Sequence, residues 1–307
     1  MSSAITVIMC VHNPHAGRLA RVLDALRSQT LPPENWSLLV IDNASNPPLA
    51  GRGIALPANA TILVEAELGL TAARLAGIAA AQGELLVLID DDTVAAPDYL
   101  AVALGLMQSQ PQLGAAGGRI RGDFEAAPAG WMHGFLDVLA LRDFGERPIR
   151  ALAPNQLGPW EPCGAGMVVR SRVARAYAAM VRDDPRRRLD RVGTRLSSCG
   201  DTDLARTATD LGMELAYEPR LHLTHLIPAA RLRFGYLARL TYCIQRDGWL
   251  LLRMRGMQCE LRGWRLWLRR IAVPLRTPRP DPRQWGLRIA AAWGQLQGRS
   301  LPLEGPR

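Results

Sequence analysis

Three consecutive carboxylates, Asp90, Asp91 and Asp92, close the stretch Glu84–Thr93. The apolar run Leu85–Ile89 before them follows Gly83 and has the length of a strand buried on both faces. In an open α/β sheet, ligands sit beyond the carboxyl ends of the strands, and three like charges fixed there call for a compensating cation. A hard divalent ion, Mg²⁺ or Mn²⁺, suits oxygen ligands and commonly shares a substrate's phosphates. A helix N-cap at Asp92 explains one of the three acids and leaves two unexplained. Further along, Asp201 lies at the start of an apolar-patterned helix, where it can act as a base or simply cap Thr202–Leu211. His225 ends the run Leu221–His225 and is a candidate third metal ligand, with His222 on the opposite strand face. Asp42 closes a second strand, where it can accept from a ligand N–H or make an Asx-turn with Asn43 and Ser45. Arg74 can meet a diphosphate or nearby acids.

The elements that must position these residues alternate in type. Ile5–Cys10 reads as a first strand, with a helix after it carrying Leu19, Val22, Leu23 and Leu26 on one face. Ser37–Asp42 and Thr61–Val64 read as strands, and Gly69–Ala81 as a helix with a small-residue face. After the central strand, the pattern predicts a helix over Pro97–Met107 and a strand over Gly114–Gly118. Arg119–Trp160 reads as a loop-rich insertion, Met167–Arg170 as a strand, and Ser171 to about Val181 as a helix. Asp183–Arg191 reads as a solvated charged loop, followed by strands near Glu214–Tyr217 and Arg220–His225. This order predicts a doubly wound, Rossmann-like α/β sheet, mostly parallel and flanked by helices.

A length of 307 residues suits one large domain, or one domain with appendages. No stretch approaches 18 consecutive apolar residues, and Met1–Cys10 carries no basic n-region, so neither a membrane span nor a signal peptide is expected. Five cysteines with no C-x-x-C pair predict reduced thiols, a cytoplasmic setting and no structural zinc. The chain contains no Lys, which excludes a P-loop, and no glycine before Gly17, which argues against a dinucleotide fingerprint and a pyrophosphorylase-type first turn. Charge is unevenly placed: Met1–Pro219 holds 20 Arg against 24 acids, whereas Arg220–Arg307 holds 17 Arg against 4. A tail this basic is attracted to anionic surfaces.

The motifs occur in an order that resembles the inverting family-two glycosyltransferases of the GT-A fold, over roughly Ile5 to Arg239. Val7–Pro14 resembles the family's first strand and nucleotide-binding turn, and Val40–Ser45 its second strand, whose Asp recognises the base. Glu67–Arg74 resembles the Gly-and-Arg helix start beside the donor, Leu88–Thr93 the D-x-D metal motif, and Pro97–Leu100 the segment that follows it. Gly164–Met167 resembles the acceptor-side turn, and Gly200–Leu204 the segment of the catalytic base. Two positions depart from the pattern: Gly200 stands where the family often has Glu, and Leu75 where Asn is usual. The resemblance implies a nucleotide-sugar donor, UDP- or dTDP-linked, contacted by Pro14, Asp42, Asn43, Gly69, Arg74, Asp90 and Asp91. It also implies Mg²⁺ or Mn²⁺ on Asp90, Asp92 and His225, Asp201 as base, and a saccharide or lipid-linked acceptor. A non-catalytic, membrane-associated relative that binds nucleotide or glycan is the alternative; retention of Asp90, Asp92 and Asp201 favours the enzyme.

The implied organisation is a catalytic domain over residues 1–230, divided into a donor half (1–118) and an acceptor half (119–230). A basic, Trp-rich helical extension follows over 231–307. Its Trp249, Trp264, Trp267, Trp285 and Trp293 suit either an interfacial amphipathic helix, on the inner face of the plasma membrane, or packing on the domain. Pro274–Pro282 reads as a linker. No nucleic-acid-binding module is recognisable, so no nucleic-acid partner is expected.

Overall fold

The structure, a computed structural model, describes residues 3–152, 157–257 and 281–301. The elements up to β4 follow the order that the sequence pattern predicts. Strand β1 (Ile5–Val11) leads to α1 (Ala16–Arg27), β2 (Trp36–Asn43), β3 (Ala60–Glu65), α2 (Leu70–Ala80) and β4 (Leu85–Leu88). These four strands run parallel in the order β3-β2-β1-β4. Every residue of β4 is buried, and burying each such Leu or Val side chain contributes about 1.5–3 kcal/mol. Close approach of α2 to the sheet depends on Gly77, where a Cβ would lie 2.6 Å from Ile8 Cγ2.

The chain after Asp92 adds strands that the pattern does not predict. Strand β5 (Thr93–Ala95) follows directly, so Asp92 caps no helix, and the helix expected over Pro97–Met107 is α3 (Tyr99–Ser109). The expected short strand at Gly114–Gly118 extends through the start of the supposed loop-rich insertion as β6 (Leu113–Phe124), and the same insertion supplies β7 (Ile149–Ala151). Strand β8 (Val168–Arg170) lies antiparallel between β4 and β6, and α4 (Ser171–Asp183) and α5 (Gly200–Asp210) follow. The two expected late strands are one, β9 (Glu214–Ile227), parallel to β6 and antiparallel to β5 and β7. Its pairing with β6 jumps from Glu218 to His222, so Pro219–Leu221 form a bulge, which accommodates a proline that cannot donate to the ladder. The sheet is therefore parallel over β3-β2-β1-β4 and mixed beyond it, in the order β3-β2-β1-β4-β8-β6-β9-β5.

Helix α6 (Phe234–Met254) and helix α7 (Pro282–Ser300) form the described part of the C-terminal region. They pack closely through Gly294 and Gly298, where a Cβ would collide with the carbonyls of Tyr242 and Arg246. Leu237, Leu240 and Leu287 share a core with Trp131, Met132 and Leu139, so the helix pair is seated on the sheet domain. Trp264, Trp267, Cys259 and most of the expected proline linker lie outside the described residues, whereas Pro282 opens α7. Cys10, Cys163, Cys199 and Cys243 are free thiols.

Candidate active site

A cleft of about 1200 Å³ opens at the carboxyl ends of β1 and β4. Asp90–Asp92 line one wall, Gly164 and Asp201 another, and Ile244, Gly248 and Leu252 of α6 contribute to it as well. Arg74, Asp190, His225 and Arg231 complete its polar lining.

The turns after β1 and β2 are tied to each other before any ligand is considered. His12 Nδ1 lies 2.7 Å from the Asn43 carbonyl, and the Asn13 N–H donates to Ser45 Oγ at 3.0 Å. Asp42 is buried, and its carboxylate accepts from the N–H groups of Ser45 (3.2 Å) and Leu49 (2.7 Å). Burial opposes its charge, but these N–H bonds hold the carboxyl below the usual carboxylate range. Asp42 thus makes the turn-forming contacts weighed as the alternative to base recognition, and neither it nor the buried Pro14 lines the cleft. Asn43 does line it, as a clamp: its Nδ2 donates to the carbonyls of Glu65 and Glu67, and its Oδ1 accepts from the Gly69 N–H at 2.8 Å. Gly69 precedes α2 with φ of 149°, in the region that favours glycine.

Arg74 is only 4% exposed, and its Nη1 donates to Asp190 Oδ2 at 3.0 Å. Thr71, three residues earlier on α2, donates to the same oxygen. Asp190 falls in the run expected to be solvated; it is instead buried in the cleft lining. Arg74 Nη2 presses against Gly164, where a Cβ would collide with it, and the Gly164 N–H donates to Asp201 Oδ2 at 2.7 Å. The charges of Asp190, Asp201 and Asp90 outweigh burial and hold the guanidinium firmly protonated. One cation is therefore shared among the acids of both walls.

The three carboxylates of the central strand are not equivalent. Burial, and then the charge of Asp92, push the Asp90 carboxyl upward, and burial with both neighbours raises Asp91 to about 7. Asp92 is also buried, but its contacts with His225 and Arg231 hold its carboxyl well below the usual range. Asp92 Oδ2 pairs with Arg231 Nη2 at 2.9 Å, and Oδ1 lies 3.5 Å from His225 Nε2. His225 Nδ1 faces the Leu139 carbonyl at 2.9 Å, and Nε2 lies 3.0 Å from Arg231 Nη1. Asp92 and His225 thus converge, as their expected role requires, but around a guanidinium. Among the described residues no three His, Cys, Asp or Glu side chains are grouped to hold a metal ion as they stand. Their chemistry nonetheless fits a hard cation: carboxylate oxygens, an imidazole whose Nδ1 is fixed by a backbone carbonyl, and a positive charge already drawn to the same point.

On the opposite wall, α5 starts at Gly200 with Cys199 as its N-cap residue, so Asp201 stands in the first turn and is not the cap. Its Oδ1 accepts from the Thr202 N–H at 2.8 Å, complementing the Gly164 bond to Oδ2. Asp203 points away from the cleft, fully buried between Arg187 and Arg255. His222 lies outside the cleft lining, and burial lowers its pKa. Two site residues were missed from sequence. Asp190 had one available signal, the single apolar Leu189 inside a charged run, which marks an inward turn. Arg231 had none, being one of 17 Arg in its region.

The model of glycosyl transferase family 2 matches residues 6–170, more than half of the chain. A segment of 112 residues is 27% identical to the uncharacterized protein y4gI of Sinorhizobium fredii (strain NBRC 101917 / NGR234), over 35% of this chain and 12% of that protein. The chain thus spans only a small part of that relative's length. Asp201, His225, Arg231 and both C-terminal helices lie beyond the family match, whereas β1, β2, Arg74, the Asp90–Asp92 corner and the Gly164 turn fall inside it, on an α/β sheet that fits a GT-A fold, and the chain belongs to glycosyl transferase family 2.

Proposed function

We propose that this chain is a metal-dependent inverting glycosyltransferase that moves a sugar from a UDP- or dTDP-linked donor to a saccharide or lipid-linked acceptor. The observation that carries the reading is one cleft with Asp90–Asp92 on one wall and Asp201 on another, bridged by the buried Arg74. Inversion is a single in-line displacement, so it needs a base on one side of the anomeric carbon and charge neutralisation on the other. Asp201 takes the base role: its two oxygens are oriented by the Gly164 and Thr202 N–H groups, which leaves lone pairs for an acceptor hydroxyl. Asp90, Asp92 and His225 would hold Mg²⁺ or Mn²⁺, in competition with Arg231 for Asp92. When bound, the ion supplies Lewis-acid neutralisation of the donor diphosphate. Asn43 and Gly69 shape the donor side through the turn they clamp, and Asp91 lies beside the same donor.

We also place the protein at an anionic membrane surface, on the cytoplasmic side. No described helix is long and apolar enough to cross a membrane. Along α7, however, the outward positions Trp285, Ile289, Trp293 and Leu296 are all large and apolar, at 38–50% exposure. Trp at such positions suits a lipid interface, and the basic surroundings favour anionic headgroups.

The deciding experiment screens UDP- and dTDP-sugars for metal-dependent binding and for nucleotide release. Donor affinity should require Mg²⁺ or Mn²⁺, and Asp92→Asn should abolish turnover while the fold persists. Donor binding that is unchanged in excess chelator would refute the metal assignment.

A further inference from the structure

Asp190 is joined to the site by more contacts than a surface loop residue needs. Its Oδ2 accepts from both Arg74 Nη1 and Thr71 Oγ1, each at 3.0 Å, and the Leu70 N–H donates to the carbonyl of the next residue, Arg191, at 2.9 Å. On its other side the carboxylate rests on the bare Cα of Gly200: a Cβ there would collide with Oδ2 and lie 2.7 Å from Oδ1. Gly200 is the first residue of α5, where alanine is otherwise the better helix former. The glycine is therefore explained by the space Asp190 occupies. That space adjoins Asp201, and the cation Asp190 holds is the one that presses on Gly164, whose N–H binds Asp201.

We propose that Asp190 is a positioning residue: held against Gly200, it keeps Arg74 hydrogen-bonded to itself and not to Asp201, so that Asp201 remains available to an acceptor. This rests on the glycosyltransfer reading above. Without Asp190, the buried guanidinium has Asp201 and Asp90 as its remaining anionic neighbours. It would then pair directly with the base and displace the Gly164 contact. A carboxylate carried on position 200 would start in the vacated space and could hold Arg74 from there.

The test compares Asp190→Ala, Gly200→Ala, the double alanine variant and Asp190→Ala/Gly200→Glu. Release of UDP or dTDP is followed with the UDP- and dTDP-sugar panel, Mn²⁺ and simple saccharide acceptors. Each single substitution should lower kcat by ~10²-fold, the scale of a misplaced reacting group, with donor KM little changed. Gly200→Ala should act by pushing Asp190 off Arg74, so in the Asp190→Ala background it should add nothing. Asp190→Ala/Gly200→Glu should regain at least tenfold over Asp190→Ala. A role confined to holding the loop would lower Tm without this rescue or this non-additivity. Should Asp190→Ala misfold, Gly200→Ala carries the test alone, since it retains every polar group. Wild-type kcat in either single variant, or losses that multiply in the double variant, would overturn the proposal. Failure of the glycosyltransfer reading is distinguishable, because it would appear as no nucleotide release by the wild-type chain, and the positioning role would fall with it.

Discussion

Asp201→Asn separates a base from a merely structural carboxylate, and the geometry sets the size of each effect. Asp201 accepts one backbone N–H on each oxygen, from Gly164 at 2.7 Å and Thr202 at 2.8 Å. An amide offers one oxygen and one NH₂ group, so one of those N–H donors must face another donor. The stability cost is that of an unsatisfied partly buried group, about 1–3 kcal/mol, or a few degrees in Tm. Even a marginal domain of about 5 kcal/mol would retain ~2 kcal/mol, which keeps more than roughly nine-tenths of the molecules folded. Unfolding can therefore lower activity only slightly. Loss of a general base removes ~10²–10⁴-fold in rate, or about 2.7–5.4 kcal/mol of barrier, and the two effects do not overlap. Nucleotide release with a working acceptor should fall by at least ~10²-fold, while metal-dependent donor binding by calorimetry stays near wild type. A near-wild-type transfer rate, accompanied by the small Tm loss, would show that Asp201 only orders the Gly164 turn and that the base lies elsewhere.

Asp203→Asn should act on stability: it breaks a buried cluster with Arg187 and Arg255, and denaturant unfolding should show a loss of about 3–5 kcal/mol. Metal affinity should depend on pH because burial and its two neighbours raise the Asp91 carboxyl to about 7 beside the proposed ligands Asp90 and Asp92. The ion binds the deprotonated carboxyl cluster, so Mn²⁺ affinity should fall by up to ~10-fold per pH unit below that value, with proton release seen by calorimetry in two buffers. A flat profile from pH 6 to 8 would contradict it. Gly118→Ala forces a Cβ onto the Leu221 carbonyl at the β6–β9 bulge, a backbone contact that cannot turn aside, and should cost ~1–3 kcal/mol or more in thermal unfolding. Replacing Ile289 and Trp293 by Ser should weaken sedimentation with anionic vesicles more than with neutral ones, and binding by the parent chain should decline as salt rises. Equal binding by parent and variant would return α7 to a packing role.

The first four strands and their helices were legible in the sequence because their signals are local. Ile5–Cys10, Ser37–Asp42 and Leu85–Ile89 are apolar runs that can only be buried, and Leu19, Val22, Leu23 and Leu26 repeat at the helical period. The position of Asp90–Asp92 beyond a strand end follows from the same patterns, and so does the assignment of Asp201 to a helix start. What tertiary structure decided were the partners. Asp42 satisfies its own turn, Arg74 belongs to Asp190, and Asp92 holds Arg231 from a region that composition alone described as a basic tail. The bulged β9 emerged because pairing with β6 continues across Pro219, which local propensity reads as a break. The charged run Asp183–Arg191 could not be divided by sequence into solvated and buried residues. A carboxylate tolerates burial only where a cation and hydrogen-bond donors converge on it, and for Asp190 these come from residues 71 and 74, more than a hundred positions away.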